Sequence, residues 1–289
     1  MEGDFLMLKS LCIKTNNENI NNYLLENLQK LNLDGIYLSY SSFKLYENII
    51  VHYKGNDVNY FLEEISNVLS DSIIEFYETK IIKYTIASNY FYFSELEQIK
   101  ILSLCKDYIQ NDTLEHSSMK KEIVSLSLQN YFIEHKSLIL DGFVKFRINN
   151  YIKVLDSIVD LSVNRFVIDK EYSEFIDLLK IYINSKDYGS DIVHLIYNNQ
   201  ESVLLDKFKN IIELNSDILS KQYLSDISFS SNDFALNSLL TLLPRVIYIH
   251  LIDREDEFIN TLKLIFDNRV FICNDCNICK LYRLEKINR

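Results

Sequence analysis

The stretch PRVIYIHLIDREDEFINTLKLIFDNRVFICNDCNIC, residues 244–279, decides the fold class. Arg245 to Ile252 is rich in β-branched and aromatic residues and reads as a strand. Glu255 to Phe266 places its apolar residues three and four apart, the period of a helix with one buried face. Val270 to Cys273 is short, apolar and β-prone, a second strand. Pro244 lacks a backbone N–H and restricts the residue before it, so it ends whatever helix precedes it. The stretch is therefore strand, helix, strand, and it closes on three cysteines.

Working outward, Asp191 to Tyr197 and Ser202 to Phe208 form a hairpin around Asn198-Asn199. A helix is expected near Ile211 to Tyr223 and a short strand at Asp226 to Phe229. Ser231 can cap a helix over Asp233 to Leu243. Residues 190–289 thus read as a C-terminal α/β unit with a short mixed sheet. Upstream, Phe76 to Ile183 is mostly helical, and residues 76–189 form a helical middle region. Its clearest helix runs from Leu155 to Ile183, where Leu155, Ile158, Val159, Val163 and Phe166 recur on one stripe without Gly or Pro. Residues 1–75 read as a small N-terminal α/β module. Residues 8–15 suit a strand, and Asn16 or Asn17 caps a helix through about Leu31. Ile36 to Tyr40 and Leu45 to Tyr53 make a strand pair with Ser41-Ser42 between them, and a helix starts at Asp57. The fold class expected is α+β.

The chain has 289 residues, of which 48% are hydrophobic and 25% charged, enough apolar side chain for a substantial core. Its formal net charge is -11, and no block of Lys or Arg offsets it, which argues against nucleic acid as a partner. Five glycines supply neither a dinucleotide fingerprint nor a phosphate loop. No Gly-x-Ser-x-Gly elbow and no His-Glu-x-x-His occurs, so the common hydrolase signatures fail. Met1-Glu2-Gly3-Asp4 carries no positive charge of the kind that opens a secretory signal. No apolar run approaches the roughly 20 residues that span a bilayer, so direct membrane insertion is not expected. This reading places the protein in the cytoplasm, where thiols stay reduced.

Cys273-x-x-Cys276-x-x-Cys279 is the sharpest chemical signal, with three of the five cysteines within seven residues. In a reducing compartment such clustering points to metal or redox chemistry more than to a disulfide. Zinc or an iron–sulfur cluster, thiol redox and plain reduced thiols are the readings open at this point. A structural zinc takes four protein ligands, and only three are local. The fourth is open among Cys12, Cys105, His250, water and a residue of another subunit. The spacing also matches the start of a bacterial cluster motif, but its fourth cysteine and proline are absent. His194 and His250 each sit on an apolar strand. Such a residue is usually a satisfied core histidine, whereas two on adjacent strands can meet.

Two further constellations have bland readings. Phe146-Arg147 could bind a phosphate or carboxylate, but pairing of Arg147 with an acid on a neighbouring helix is favoured. Glu171 and Tyr172 lie in a carboxylate row with Glu174 and Asp177. A solvated face, or partners for Arg147 and Arg165, explains the row better than metal binding, because no Glu-x-x-His pair occurs on that helix. The 20 Tyr and 17 Phe are interleaved with acids and Ile, which suits core packing and partner surfaces.

As an ordered set, the C-terminal half resembles the YtxC-like family of sporulation proteins from endospore-forming bacteria. The residues that carry the resemblance are Gly142-Phe143-Val144-Lys145-Phe146-Arg147 with Tyr151, and Lys170-Glu171-Tyr172-Ser173-Glu174-Phe175 with Leu178-Leu179. His194 in Asp191-Ile192-Val193-His194, Leu243-Pro244 leading to His250, and the cysteine cluster complete it. The resemblance implies a role in or around sporulation and assigns no reaction. The expectation is a non-enzymatic protein acting through an unknown protein partner, with a structural metal at the cysteines. The alternative is a redox or metal-dependent enzyme or sensor that uses those cysteines.

Overall fold

The computed structural model describes residues 9–43, 46–111, 114–198, 200–212, 230–252, 254–273 and 275–287. The chain divides into two compact units, residues 1–168 and 169–289. It is an α+β protein with a small sheet in each unit.

In the first unit, β1 (Lys9–Thr15) leads to α1 (Glu18–Gln29), then β2 (Ile36–Phe43) and β3 (Tyr46–Tyr53). Asn17 is the cap that starts α1, its side chain accepting from the N–H groups of Asn19 and Ile20. Three long helices follow, α2 (Val58–Asn89), α3 (Glu95–Asn111) and α4 (Leu114–Glu134). Asp57 caps α2 through the N–H of Tyr60. Next come β4 (Ser137–Ile139) and α5 (Leu140–Arg147). The sheet runs in the order β2-β3-β1-β4, with β1 antiparallel to β3 and parallel to β4. Alternation along the strands turns Leu11, Ile13, Ile49 and Val51 inward, where they join Ile20, Leu24, Phe61, Ile65 and Leu69 in one core.

The helix α6 (Asn149–Asn184) carries the chain from the first unit into the second. There β5 (Ser190–Asn198) and β6 (Glu201–Leu205) pair antiparallel. They are followed by α7 (Ser231–Leu242), β7 (Pro244–Leu251), α8 (Glu257–Phe266), β8 (Val270–Cys273) and α9 (Asn277–Ile287). The strand order is β6-β5-β7-β8, and β7 is parallel to both of its neighbours. One face of this sheet turns Val193, Leu195, Tyr197, Ile247, Ile249 and Leu251 into a core with Ala235 and Leu239 of α7 and Ile259, Leu262 and Phe266 of α8. Among the described residues, the opposite face is more thinly covered. A small cluster of Ile196, Leu205 and Ile278, with Val203 and Tyr282, packs α9 against it.

Several local expectations are corrected. Ser41 and Ser42 lie inside β2, paired with Asn48 and Glu47, so they do not form the turn. Ser230, one residue earlier than expected, caps α7, and Asp233 closes a reciprocal capping box with it. Phe208 falls in a tight turn organised by Asp206, beyond the end of β6. Ile211 bridges back to Leu205 in place of starting a helix. The rest of that expected helix and the strand at 226–229 lie outside the described residues. Neither β4 nor α9 was expected.

Candidate metal centre

The thinly covered face of the second sheet carries the chemistry. The parallel register sets His194 beside Tyr248 and Ile196 beside His250. It also sets Tyr248 beside Phe271 and His250 beside Cys273. Because strand side chains alternate, His194, Tyr248, His250, Phe271 and Cys273 all point to this one face. The strand ends at Cys273, the chain turns, and Cys276 stands just before α9, its carbonyl accepting from the N–H of Lys280 at 2.9 Å. Cys279 lies one turn into the helix and is fully buried.

His250, Cys273, Cys276 and Cys279 come together, their ligand atoms all within 4.8 Å of one another. Sγ of Cys279 is 3.7 Å from Sγ of Cys276 and 4.0 Å from Sγ of Cys273. Nδ1 of His250 is 3.3 Å from Sγ of Cys276 and 3.5 Å from Sγ of Cys279. A tetrahedral ion with metal–sulfur bonds of about 2.3 Å and a metal–nitrogen bond of about 2.05 Å has S···S edges of about 3.8 Å and N···S edges of about 3.5 Å. The group therefore has the dimensions of a single-ion coordination shell, and these four residues can hold a metal ion.

The electrostatics suit the same purpose. Burial, with His194 close by, pushes His250 down to about 4, so the ring is neutral and a nitrogen lone pair is free to bind. Burial and the two neighbouring thiols push Cys273 up to about 11. Burial acts to raise Cys276 as well. The backbone N–H groups of Cys279 and Ile278, with the neighbouring thiols, outweigh it and hold that thiol below its ordinary value. A divalent cation among these sulfurs would favour the thiolate form of Cys273 against the burial that raises it.

The other expected residues fall elsewhere. His194 adjoins the group, its Nδ1 3.0 Å from Nε2 of His250 in a nearly coplanar edge-to-edge contact, and its ring lies near-parallel to that of Tyr248. Burial and the charge of Lys209 lower its pKa. Cys12 lies in β1 and Cys105 on the buried side of α3, and neither belongs to the cluster. Phe146 and Arg147 end α5, both exposed, and line a shallow groove with Tyr131 and Phe143. Among the described residues no ion pair involves Arg147, contrary to the pairing favoured from sequence. Glu171 is exposed, and the hydroxyl of Tyr172 shares a 2.8 Å hydrogen bond with that of Thr261 on α8. The aromatic row His194, Tyr248 and Phe271 was not foreseen. Its signal was the two-residue step from Tyr248 to His250 within one strand.

Among the described residues, no helix is long and apolar enough to cross a membrane. No solved structure matches the chain. A protein of Bacillus subtilis (strain 168), named there as the uncharacterized protein YtxC, is 22% identical over 191 residues, which is 64% of this chain and 67% of that one. The sequence model of the YtxC-like family matches residues 63–271. That match takes in His194 and His250, stops two residues short of Cys273, and reaches well into the N-terminal unit, further than the motifs of the C-terminal half alone. On this match the chain belongs to the YtxC-like family.

Proposed function

We propose that the protein is a non-enzymatic, sporulation-associated protein of the cytoplasm that acts through a protein partner, and that a structural zinc ion pins its C-terminal helix to its second sheet. The observation that carries the metal reading is the closed set of four protein ligands. Structural zinc sites are closed in this way, whereas catalytic ones keep a position for water or substrate. Three thiolates and an imidazole are soft, tetrahedral donors, the preference of zinc among the abundant divalent ions. A four-iron cluster would give each thiolate its own iron and spread the sulfurs beyond the 3.7 and 4.0 Å found. The sporulation context rests on the family resemblance. The partner role is supported by the exposed apolar corner between α2 and α3, where Phe91, Tyr92, Leu96 and Ile99 face outward.

The test is elemental analysis of untagged protein prepared without oxygen, followed by thermal unfolding with and without a chelator. One zinc per chain is expected, with a marked fall in Tm on its removal. An unchanged melting curve after complete metal removal would sink the structural role. A brown protein with several irons per chain would favour the redox alternative.

A further inference from the structure

We propose that His194 is a positioning residue that makes His250 present Nδ1, and not Nε2, to the metal. The proposal rests on the zinc reading above and assigns a role to a residue outside the ligand set.

A neutral imidazole carries one N–H and one lone pair, and either nitrogen can bind a metal. In His250 the two are sorted by their surroundings. Nδ1 faces the sulfurs of Cys276 and Cys279. Nε2 faces away from them and lies 3.0 Å from Nδ1 of His194. With the Nδ1 lone pair on a metal, the ring proton sits on Nε2. His250 is only 3% exposed, so water does not satisfy that N–H. Among the described residues, Nδ1 of His194 is the acceptor within reach. Accepting there obliges His194 to keep its own proton on Nε2. The two tautomers are thus locked together, in the manner of the hydrogen-bonded partners that commonly orient metal-bound histidines.

His194 is itself held in place. The parallel register puts it on the same face as His250 but one alternation away, opposite Tyr248. Its ring lies between Tyr248, at 5.5 Å and 21° between planes, and His250, at 5.2 Å and 27°. Tyr248 is backed in turn by Phe271 at 5.8 Å. This row fixes the plane of the His194 ring, and hence the direction in which its Nδ1 lone pair points.

The experiment measures zinc affinity of the full chain by competition with a chromophoric chelator, for the wild type and for His194→Leu and His194→Asn. Leu fills space but accepts no hydrogen bond. Asn places its amide oxygen on Cγ, where Nδ1 stood. His194→Leu is expected to bind zinc about 10–100-fold more weakly at unchanged stoichiometry, and His194→Asn to recover most of the loss. Nitrogen-15 NMR of the zinc-loaded wild type should show His250 metallated at Nδ1 and protonated at Nε2, with a scalar coupling across the hydrogen bond from its Nε2–H to Nδ1 of His194, a signature that a packing role alone would not produce. Equal affinity of His194→Leu and the wild type, or metallation of His250 at Nε2, overturns the role of His194 while leaving the zinc reading intact. A wild-type chain that takes up no zinc overturns both.

Discussion

Lys120 Nζ lies 3.2 Å from Oε2 of Glu78, with the two side chains only 8% and 13% exposed, and Tyr151 donates its hydroxyl to the same oxygen at 2.7 Å. One carboxylate on α2 therefore ties α4 and α6 within the N-terminal unit. The lysine and the tyrosine depend on it. Removing Glu78 leaves a buried ammonium with no counter-charge, which is costly, whereas replacing the whole pair by apolar groups is far milder. Glu78→Ala should lower the unfolding free energy by about 3–5 kcal/mol. The triple variant Glu78→Leu, Lys120→Met, Tyr151→Phe, which also removes the hydroxyl that loses its acceptor, should recover most of it. Urea unfolding followed by far-ultraviolet circular dichroism is the measurement, since the chain has no Trp.

The same region sets an alkaline limit. Burial, reinforced by Glu78, raises the pKa of Tyr151, and burial, reinforced by Asp141, raises that of Tyr77. A hydroxyl whose folded pKa exceeds its unfolded value stabilises the fold fully below the unfolded value of about 10, and less and less as pH rises towards the folded value. Each such tyrosine should cost about 1.4 kcal/mol per pH unit above pH 10. The double variant Tyr77→Phe, Tyr151→Phe should show a flatter decline. Denaturant midpoints at pH 9 and pH 11 compare the two proteins. Equal slopes would remove the tyrosines as the cause.

Two glycines should respond in opposite ways to alanine. A Cβ on Gly189 would stand 2.6 Å from the carbonyl oxygen of Leu242, a backbone atom that cannot swing aside. Gly189→Ala should destabilise by about 1–3 kcal/mol. A Cβ on Gly142 meets nothing closer than 3.9 Å, and that residue lies inside α5. Gly142→Ala should stabilise by about 0.5–1 kcal/mol through helix propensity. Thermal unfolding of both variants decides the matter.

The thiols outside the cluster should be irrelevant to metal uptake. Cys12→Ser and Cys105→Ala are expected to retain the wild-type zinc content, while Cys279→Ser lowers it. Total zinc per chain after exhaustive dialysis provides the readout. A loss in Cys12→Ser or Cys105→Ala would mean that the fourth ligand had been misassigned.

Long periodic segments were legible in the sequence. The stripe of Leu155, Val159 and Phe166 marked α6, and the β-branched run ending at His250 marked β7. What escaped was short or set by register. Three residues, Ser137–Ile139, hold no periodicity, so β4 was invisible until β1 paired with it. The helix α9 begins among cysteines whose spacing speaks first of ligation, and its apolar face is narrow. The three thiols were legible because they are local. The fourth ligand was one name among several, since only the alignment of β7 with β8 brings His250 beside Cys273. The meeting of His194 with His250 depends likewise on the parallel pairing of two strands that sequence pattern alone does not align.

The three-residue β4 also imposes an order on the birth of the chain. β1 is made before α2, α3 and α4, and its parallel neighbour follows only after all three have been synthesised. At bacterial elongation rates of about 5–20 residues per second, that interval is on the order of ten seconds. Throughout it, the backbone N–H of Cys12, which ends on the carbonyl of Lys136 at 2.9 Å, has no native acceptor. Among the described residues, the β1 edge of the nascent sheet therefore leaves the ribosome without its native strand partner until residue 137 arrives.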